Sequence, residues 1–136
     1  MGSMVTPFVG KGYLVMPITG QAAHSADLAG CLGAMINPAG ATILIDTCAV
    51  YVTANSTGAA NLTIGVATTI AGAHDRTDLC AATAMAAAAG TAVQGMASGD
   101  PADSLIVLAA GSYIVAFGSA DTSGLVANAY IHFLST

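Results

Sequence analysis

The stretch that decides the fold is TILIDTCAVYVTA, residues 42 to 54. Two sets of residues alternate along it. One set is Ile43, Ile45, Thr47, Ala49, Tyr51 and Thr53, and the other is Leu44, Asp46, Cys48, Val50 and Val52. A period of two in a segment rich in β-branched residues is typical of a strand. Both faces are fairly apolar, so we expect the core to cover one face and another subunit to cover the other.

A second strand follows shortly after the first. The segment NSTGAAN (55–61) carries the Asn, Ser and Gly that favour a turn. LTIGVATTI (62–70) then resumes the apolar alternation through Leu62, Ile64 and Val66. The pair predicts an antiparallel hairpin with a loop of about six residues.

Further short strands are predicted on both sides of this pair, at 12–18, 91–97, 105–109, 112–118 and 125–134. The link AAGS between 105–109 and 112–118 favours a tight hairpin. Pro17 limits the first strand to a sheet edge or a strand end. Asn37, Pro38 and Gly40 mark a turn before residue 42.

Two segments have a less regular pattern. Residues 19–41 are loop-rich, with one helical turn expected near 26–32. The alanine-rich segment 79–90 leaves two alternatives open, a short helix capped by Thr77 or Asp78 or an extended strand. The whole pattern predicts an all-β protein, an antiparallel β-sandwich of jelly-roll-like type with at most one short helix. We expect an extended N-terminal arm over 1–18 and the sandwich domain over 19–136.

The composition excludes several classes of function. Charged residues make up 7% of the 136 residues, with seven Asp, one Lys and one Arg, and the formal net charge is −5. Two cations cannot neutralise a row of phosphates, which argues against nucleic acid and against an anionic membrane surface. With so few charges, electrostatic repulsion would do little to prevent a monomer from associating with other copies. We therefore expect neighbouring subunits to cover much of the surface.

The cysteines and the hydropathy pattern indicate a reduced, non-membrane protein. Cys31, Cys48 and Cys80 are odd in number and lack the CxxC spacing of a zinc site, so we expect reduced thiols. The opening stretch lacks the continuous apolar core of a secretory signal, and we expect synthesis in the cytoplasm. Turn residues interrupt the longest uncharged stretch, 47–74, which disfavours a spanning helix.

The charged segment HDRTD (74–78) is the most distinctive polar feature. His74, Asp75 and Asp78 offer nitrogen and oxygen ligands that could meet a metal on a loop. The alternative is an ion pair between Arg76 and an aspartate, with His74 on the surface. We favour the ion pair, as an orienting contact at a subunit boundary.

His24 and His132 are the other two candidate site histidines. His24 and Asp27 are three residues apart and close on a helix face, but no serine stands in the G-x-S-x-G setting of a hydrolase. His132 shares one face of the last strand with Tyr130 and Asn128. Such a polar row favours a subunit contact.

Four segments together resemble small structural proteins of tailed-bacteriophage virions. They are ATILIDTCAVYVTA (41–54) after a Pro-Ala-Gly turn, ANLTIGVAT (60–68), DLCAATA (78–84) and SLIVLAAGSYIVAFGSADTSGLVANAYIHF (104–133). Those proteins carry a TLTVG-like strand, an Asp-containing loop, an L-x-A-A-T segment and a closing G-x-A-x-V-Y-V-x-F/Y-like strand. The likeness covers about residues 38 to 134 and is a pattern of strands and small residues.

The resemblance implies a capsid decoration, or cement, protein on the outside of a virion. Such a protein has no enzymatic activity and no cofactor, forms a homo-oligomer such as a trimer, and binds the major capsid protein. Our candidate subunit contacts are Tyr13, Leu14, Val15, His74, Asp75, Arg76, Asp78, Tyr130 and His132.

Three alternatives stay open. The first is another head or tail component of a phage. The second is a small barrel that binds a ligand or glycan, which an exposed cluster of Tyr13, Tyr51, Tyr113 and Tyr130 would favour. The third is a hydrolase or metal enzyme that uses one of the three histidines.

Overall fold

The structure is a computed structural model, and the residues it describes are 11–22, 30–74, 76–85, 92–94 and 105–135. The described residues form nine strands: β1 (Lys11–Thr19), β2 (Cys31–Ile36), β3 (Ile43–Ala54), β4 (Asn61–Ala67), β5 (Cys80–Ala84), β6 (Ala92–Gln94), β7 (Ile106–Leu108), β8 (Tyr113–Gly118) and β9 (Val126–Ser135). Ala71–Ala73 adds one turn of 3-10 helix. The prediction of an all-β protein is confirmed.

The strands form two antiparallel sheets that pack face to face. The first sheet has the order β1-β9-β3-β6, with β7 also paired to β3, and the second sheet has the order β2-β8-β4-β5. Strands that are neighbours in sequence mostly lie in different sheets. Apart from the short strand β7, which makes the first sheet five-stranded, this interleaved order is that of a jelly roll, so the jelly-roll-like sandwich is confirmed.

The core lies between the two sheets, because each strand turns its apolar set inward. On β3 the buried side chains are Ile43 and Ile45 before the register shift and Cys48, Val50 and Val52 after it, so neither of the two alternating sets predicted for this strand is buried as a whole. Burial of each large aliphatic side chain stabilises the fold by about 1.5–3 kcal/mol. The largest fully buried side chains include Met16, Ile18, Ile43, Ile45, Leu62, Ile64, Leu79, Met85, Leu108, Ile114 and Leu125.

The predicted arm is wrong for residues 11–18, while residues 1–10 lie outside the described residues. β1 pairs along its whole length with β9 of the same chain. Leu14, Met16 and Ile18 alternate into the core. This stretch therefore belongs to the sandwich, and Leu14 is withdrawn as a subunit-contact candidate. The prediction of an edge strand is confirmed, since β1 ends the first sheet.

Two predicted hairpins are also wrong. β3 belongs to the first sheet and β4 to the second, and the same holds for β7 and β8. The AAGS turn is present, with Gly111 at a φ of +81°, but it leads from one sheet to the other. Alternation determines which face of a strand is buried and says little about which strand lies beside it.

Strand β2 was missed within a segment predicted as loop-rich. Its Gly33 weakens the strand pattern, and the structure explains that residue. A Cβ at Gly33 would lie 2.4 Å from the carbonyl oxygen of Pro17, so only glycine allows β1 and β2 to approach.

In the alanine-rich segment, the described residues Cys80–Ala84 form a strand, which is the extended alternative of the prediction. Cys80–Ala84 pairs antiparallel with β4 as β5. The pairing overrides the high helix propensity of alanine, which is a weak preference beside tertiary contacts. Residues 86–90 lie outside the described residues.

Candidate functional site

The outer surface of the first sheet carries a group of exposed aromatic and branched side chains. We call it the tyrosine face and define it by Tyr13 and Val15 of β1, Tyr51 of β3, and Val126 and Tyr130 of β9. Their exposed fractions are 67%, 46%, 41%, 45% and 40% in that order. Large apolar side chains grouped on one exposed sheet face are typical of a binding surface.

The strand register sets the three tyrosines in a row. Tyr130 lies opposite Val15 on β1 and opposite Ala49 on β3. Tyr13 lies two residues before Val15, and Tyr51 lies two residues after Ala49, so the two tyrosines are on opposite sides of Tyr130. Such diagonal neighbours are about 7–8 Å apart. The three rings therefore lie along one diagonal, with Tyr130 in the middle.

An irregularity in β3 adds a polar pair at one end of the row. The register shifts between Ile45 and Thr47, so Asp46 is an extra residue that turns to the outer face. Its Oδ1 lies 2.5 Å from Nδ1 of His132, and the two side chains are 29% and 18% exposed. The ring of His132 lies 4.8 Å from the ring of Tyr13, tilted by 54°. Both polar side chains are therefore held in place by neighbours on the same face.

The free edge of β1 borders the tyrosine face. The close approach to Gly33 shows that the carbonyl of Pro17 points away from β9. In an antiparallel strand, every second residue directs its backbone N–H and C=O to the same side of the strand, so Tyr13 and Val15 follow Pro17. The backbone groups of Tyr13 and Val15 thus point off the sheet edge, where no described strand pairs with β1.

The HDRTD loop holds the predicted ion pair on the other side of the molecule. The Arg76 guanidinium donates from Nε and Nη2 to the two oxygens of Asp78, both at 2.8 Å. The N–H of Val66 donates to Asp78 Oδ2 at 3.0 Å. Burial by itself would raise the pKa of Asp78, but these hydrogen bonds and the charge of Arg76 lower it below the usual value. The pair fastens this loop to β4.

The same loop covers part of the outer face of the second sheet. Ala73 packs with Val115 and Phe117, and the His74 ring meets Phe117 edge-on at 5.2 Å. Partly buried residues at this contact include Cys31, Ala67, Ile70 and Tyr113. The loop thus covers apolar side chains of the second sheet, whereas none of the described residues covers the tyrosine face.

The candidate contact residues fall into separate groups. Tyr13, Val15, Tyr130 and His132 lie together on the tyrosine face, and the row of His132, Tyr130 and Asn128 on one face is confirmed. His74, Arg76 and Asp78 lie at the second sheet. Asp75, His24 and Asp27 lie outside the described residues, so the metal alternative at 74–78 stays a prediction.

Sequence reasoning missed Asp46 and undervalued Tyr51 as site residues. Tyr51 belongs to the same alternating set as Ile43 and Ile45, which are buried, and it faces outward because the register of β3 shifts between Ile45 and Thr47. Asp46 needed the register shift, for which the sequence holds no signal. Tyr113, the fourth tyrosine, lies on the other sheet.

The described residues show little sign of other chemistry. Among them, no group of three or more His, Cys, Asp or Glu side chains is placed to hold a metal ion. Cys48 and Cys80 are buried thiols, and burial, with Cys80 as a second cause, raises the pKa of Cys48 to about 12. No helix in the described ranges is long and apolar enough to cross a membrane.

Comparison with known proteins adds no assignment. No protein-family model, curated protein or solved structure matches this chain.

Proposed function

We propose that this protein is a non-enzymatic structural component of a tailed-phage virion. In this role it is a capsid decoration protein that self-associates and binds the lattice of the major capsid protein on the outside of the head. The observation that carries the proposal is the tyrosine face, an exposed aromatic surface on a chain in which 7% of residues are charged.

Three properties support an assembly role. Obligate interfaces are poor in charge and rich in aromatic residues, as the tyrosine face is. Asp46 Oδ1 is already paired with His132 Nδ1 within the chain, which lowers the cost of covering these two side chains with a partner. Jelly rolls recur in viral capsid domains, which adds support by analogy of fold. The resemblance to virion proteins points to the same role and implies a trimer.

The test is to look for the chain in virus particles. Particles of the phage that encodes it are purified, separated into heads and tails, and analysed by mass spectrometry. We expect the chain in the head fraction at a fixed ratio to the major capsid protein. Particles made without its gene should bind the added purified chain until the same ratio is reached.

Two results would contradict the proposal. Absence from the particles would remove the virion role altogether. Presence in the tail fraction alone would replace decoration of the capsid by a tail function.

A glycan-binding module is the second candidate, because of the row of three tyrosines. Aromatic rings set in line on a flat sheet can stack against successive sugars, and jelly rolls also include lectin domains. Affinity electrophoresis in gels that contain soluble polysaccharides tests this candidate. Retardation of the native chain that Tyr51→Ala abolishes would favour it over the virion role.

A further inference from the structure

The tyrosine face is large enough to take part in a stable protein contact. From the exposed fractions of Tyr13, Val15, Tyr51, Val126 and Tyr130, these side chains leave roughly 450 Å² uncovered. A stable interface takes about 800 Å² from each partner. Five side chains thus supply more than half of that area, and small residues between them, such as Ala49, lie on the same face.

We propose that the tyrosine face packs against the same face of a second copy of this chain, sheet on sheet, about a two-fold axis. This inference rests on the self-association in the proposed function and names the surface that performs it. Such a contact is isologous and gives a dimer by itself. The trimer implied by the resemblance would have to form through a different surface.

The row of tyrosines is self-complementary. Tyr13 and Tyr51 lie on opposite sides of Tyr130, at equal diagonal steps. A two-fold axis in the plane of the face, along the row or across it, therefore maps the row onto itself. Tyr130 then meets its own equivalent, and the outer tyrosines meet tyrosines of the partner. Aromatic pairs of this kind stabilise a contact beyond the area that they bury.

The polar groups on the face favour burial against a protein. Asp46 is paired with His132, and the Thr53 hydroxyl donates to the Val126 carbonyl at 3.1 Å. These groups keep their partners when water is excluded. Among the described residues, Asp78 lies at the second sheet and Asp121 in the loop before β9. Asp46 is the described aspartate on the face, and its pairing with His132 limits the repulsion between two copies.

Sedimentation velocity of the full chain over a range of micromolar concentrations tests the proposal. We expect a species of about twice the 13.2 kDa of one chain. Tyr130→Asp places two carboxylates at the centre of the contact and should weaken the dimer about 30-fold or more. Ile36→Asp is the matched control: Ile36 is 48% exposed on the second sheet, and its replacement should leave the dimer intact.

A second variant keeps the test decisive if Tyr130→Asp unfolds. Tyr130→Cys places two thiols close to the two-fold axis, so mild oxidation should link the copies through a disulfide. The wild-type chain under the same oxidation is the control, because it carries the buried Cys48 and Cys80 and the partly exposed Cys31, so it shows any link that forms through the native thiols. A linked dimer in the variant and none in the control would support the proposal.

Four outcomes would overturn the inference. A chain that stays monomeric at all concentrations removes it together with the self-association in the proposed function. An oligomer that Tyr130→Asp does not weaken and Tyr130→Cys does not link removes this surface alone. A monomer that dimerises only after removal of residues 1–10 would show that the N-terminus covers the face. A monomer retarded by a polysaccharide gel would assign the face to a glycan. Presence in virions is measured separately, so the failure of each proposal can be recognised.

Discussion

Replacement of Asn37 tests whether one buried side chain holds the turn before β3. The side chain is 5% exposed. Its Nδ2 donates to the carbonyl oxygens of Ala41 at 2.9 Å, Leu108 at 3.0 Å and Ala109 at 3.2 Å. Its Oδ1 accepts from the N–H of Ala39 at 2.8 Å. One residue thus joins the turn after β2 to the end of β7.

The cost of Asn37→Ala can be worked out from these contacts. Each lost hydrogen bond costs about 0.5–1.5 kcal/mol net, and a buried carbonyl without a donor, such as that of Leu108, costs about 1–3 kcal/mol. We therefore expect the free energy of unfolding to fall by about 2–4 kcal/mol. That is a large share of the 5–15 kcal/mol typical of a domain.

Asn37→Asp should make the loss of folding stability depend on pH, in a direction that can be worked out. The new carboxylate keeps the N–H of Ala39 but faces three carbonyl oxygens without a donor of its own. Burial and this repulsion raise the pKa of the carboxyl in the folded state above the value of about 3.9 in the unfolded chain. The variant is therefore destabilised increasingly as pH rises above about 4, and the loss levels off above the raised folded pKa.

Urea unfolding followed by circular dichroism measures both effects, with the wild type and both variants compared at about pH 4.5 and pH 7. With a slope of about 1–3 kcal/mol per molar urea, a loss of 3 kcal/mol lowers the midpoint by about 1–3 M. The deficit of Asn37→Asp should be smaller at the lower pH, whereas that of Asn37→Ala should change little. An Asn37→Ala variant within about 0.5 kcal/mol of the wild type would refute the reasoning, and so would an equal deficit of Asn37→Asp at both pH values.

Three further predictions concern other parts of the fold. Gly65→Ala would set a Cβ 2.3 Å from the Cβ of Arg76, so thermal unfolding should show a loss of about 1–3 kcal/mol. The lowered pKa of Asp78 contributes stability that is present above the unfolded pKa of about 4 and is lost as pH falls through the folded pKa. Asp78→Asn should therefore lose less stability than the wild type on acidification. Cys48, with a pKa of about 12, should resist iodoacetamide in the native chain at pH 8, while the partly exposed Cys31 reacts first, as peptide mapping by mass spectrometry would show.

Each of these has a simple control. Gly58→Ala meets its nearest atom, the carbonyl oxygen of Asp121, at an ordinary 3.5 Å and should be tolerated. If it costs as much as Gly65→Ala, the close approach is not the cause. An Asp78→Asn variant with the acid sensitivity of the wild type would dismiss the ion pair as a source of stability. Equal alkylation of Cys31 and Cys48 in the folded chain would contradict the burial of Cys48.

The all-β class and most of the strands could be predicted from the sequence by itself, whereas β2 was missed and β5 was one of two open alternatives. The alternation of residues 42–54 and of the last segment identified β3 and β9, because apolar side chains at a period of two can bury one face only in an extended chain. The Asn37 turn and the ion pair of Arg76 with an aspartate were also predicted. The ion pair and the turn signal of Asn37, Pro38 and Gly40 depend on residues close in sequence, so local chemistry was enough. The hydrogen bonds of Asn37 to Leu108 and Ala109 are long-range and were not predicted.

Only the tertiary structure decided which strands are neighbours. β3 pairs with β9, which is far away in sequence, and not with the next strand, β4. β1 pairs with β9 instead of forming an arm. The same long-range pairing brings the three tyrosines into one row. The register shift in β3 makes Asp46 an extra residue, and its side chain reaches His132 on the outer face. Alternation determines the buried face of each strand, but the free energy that selects its neighbour comes from contacts between residues far apart in sequence, and these exist only once the two sheets have packed.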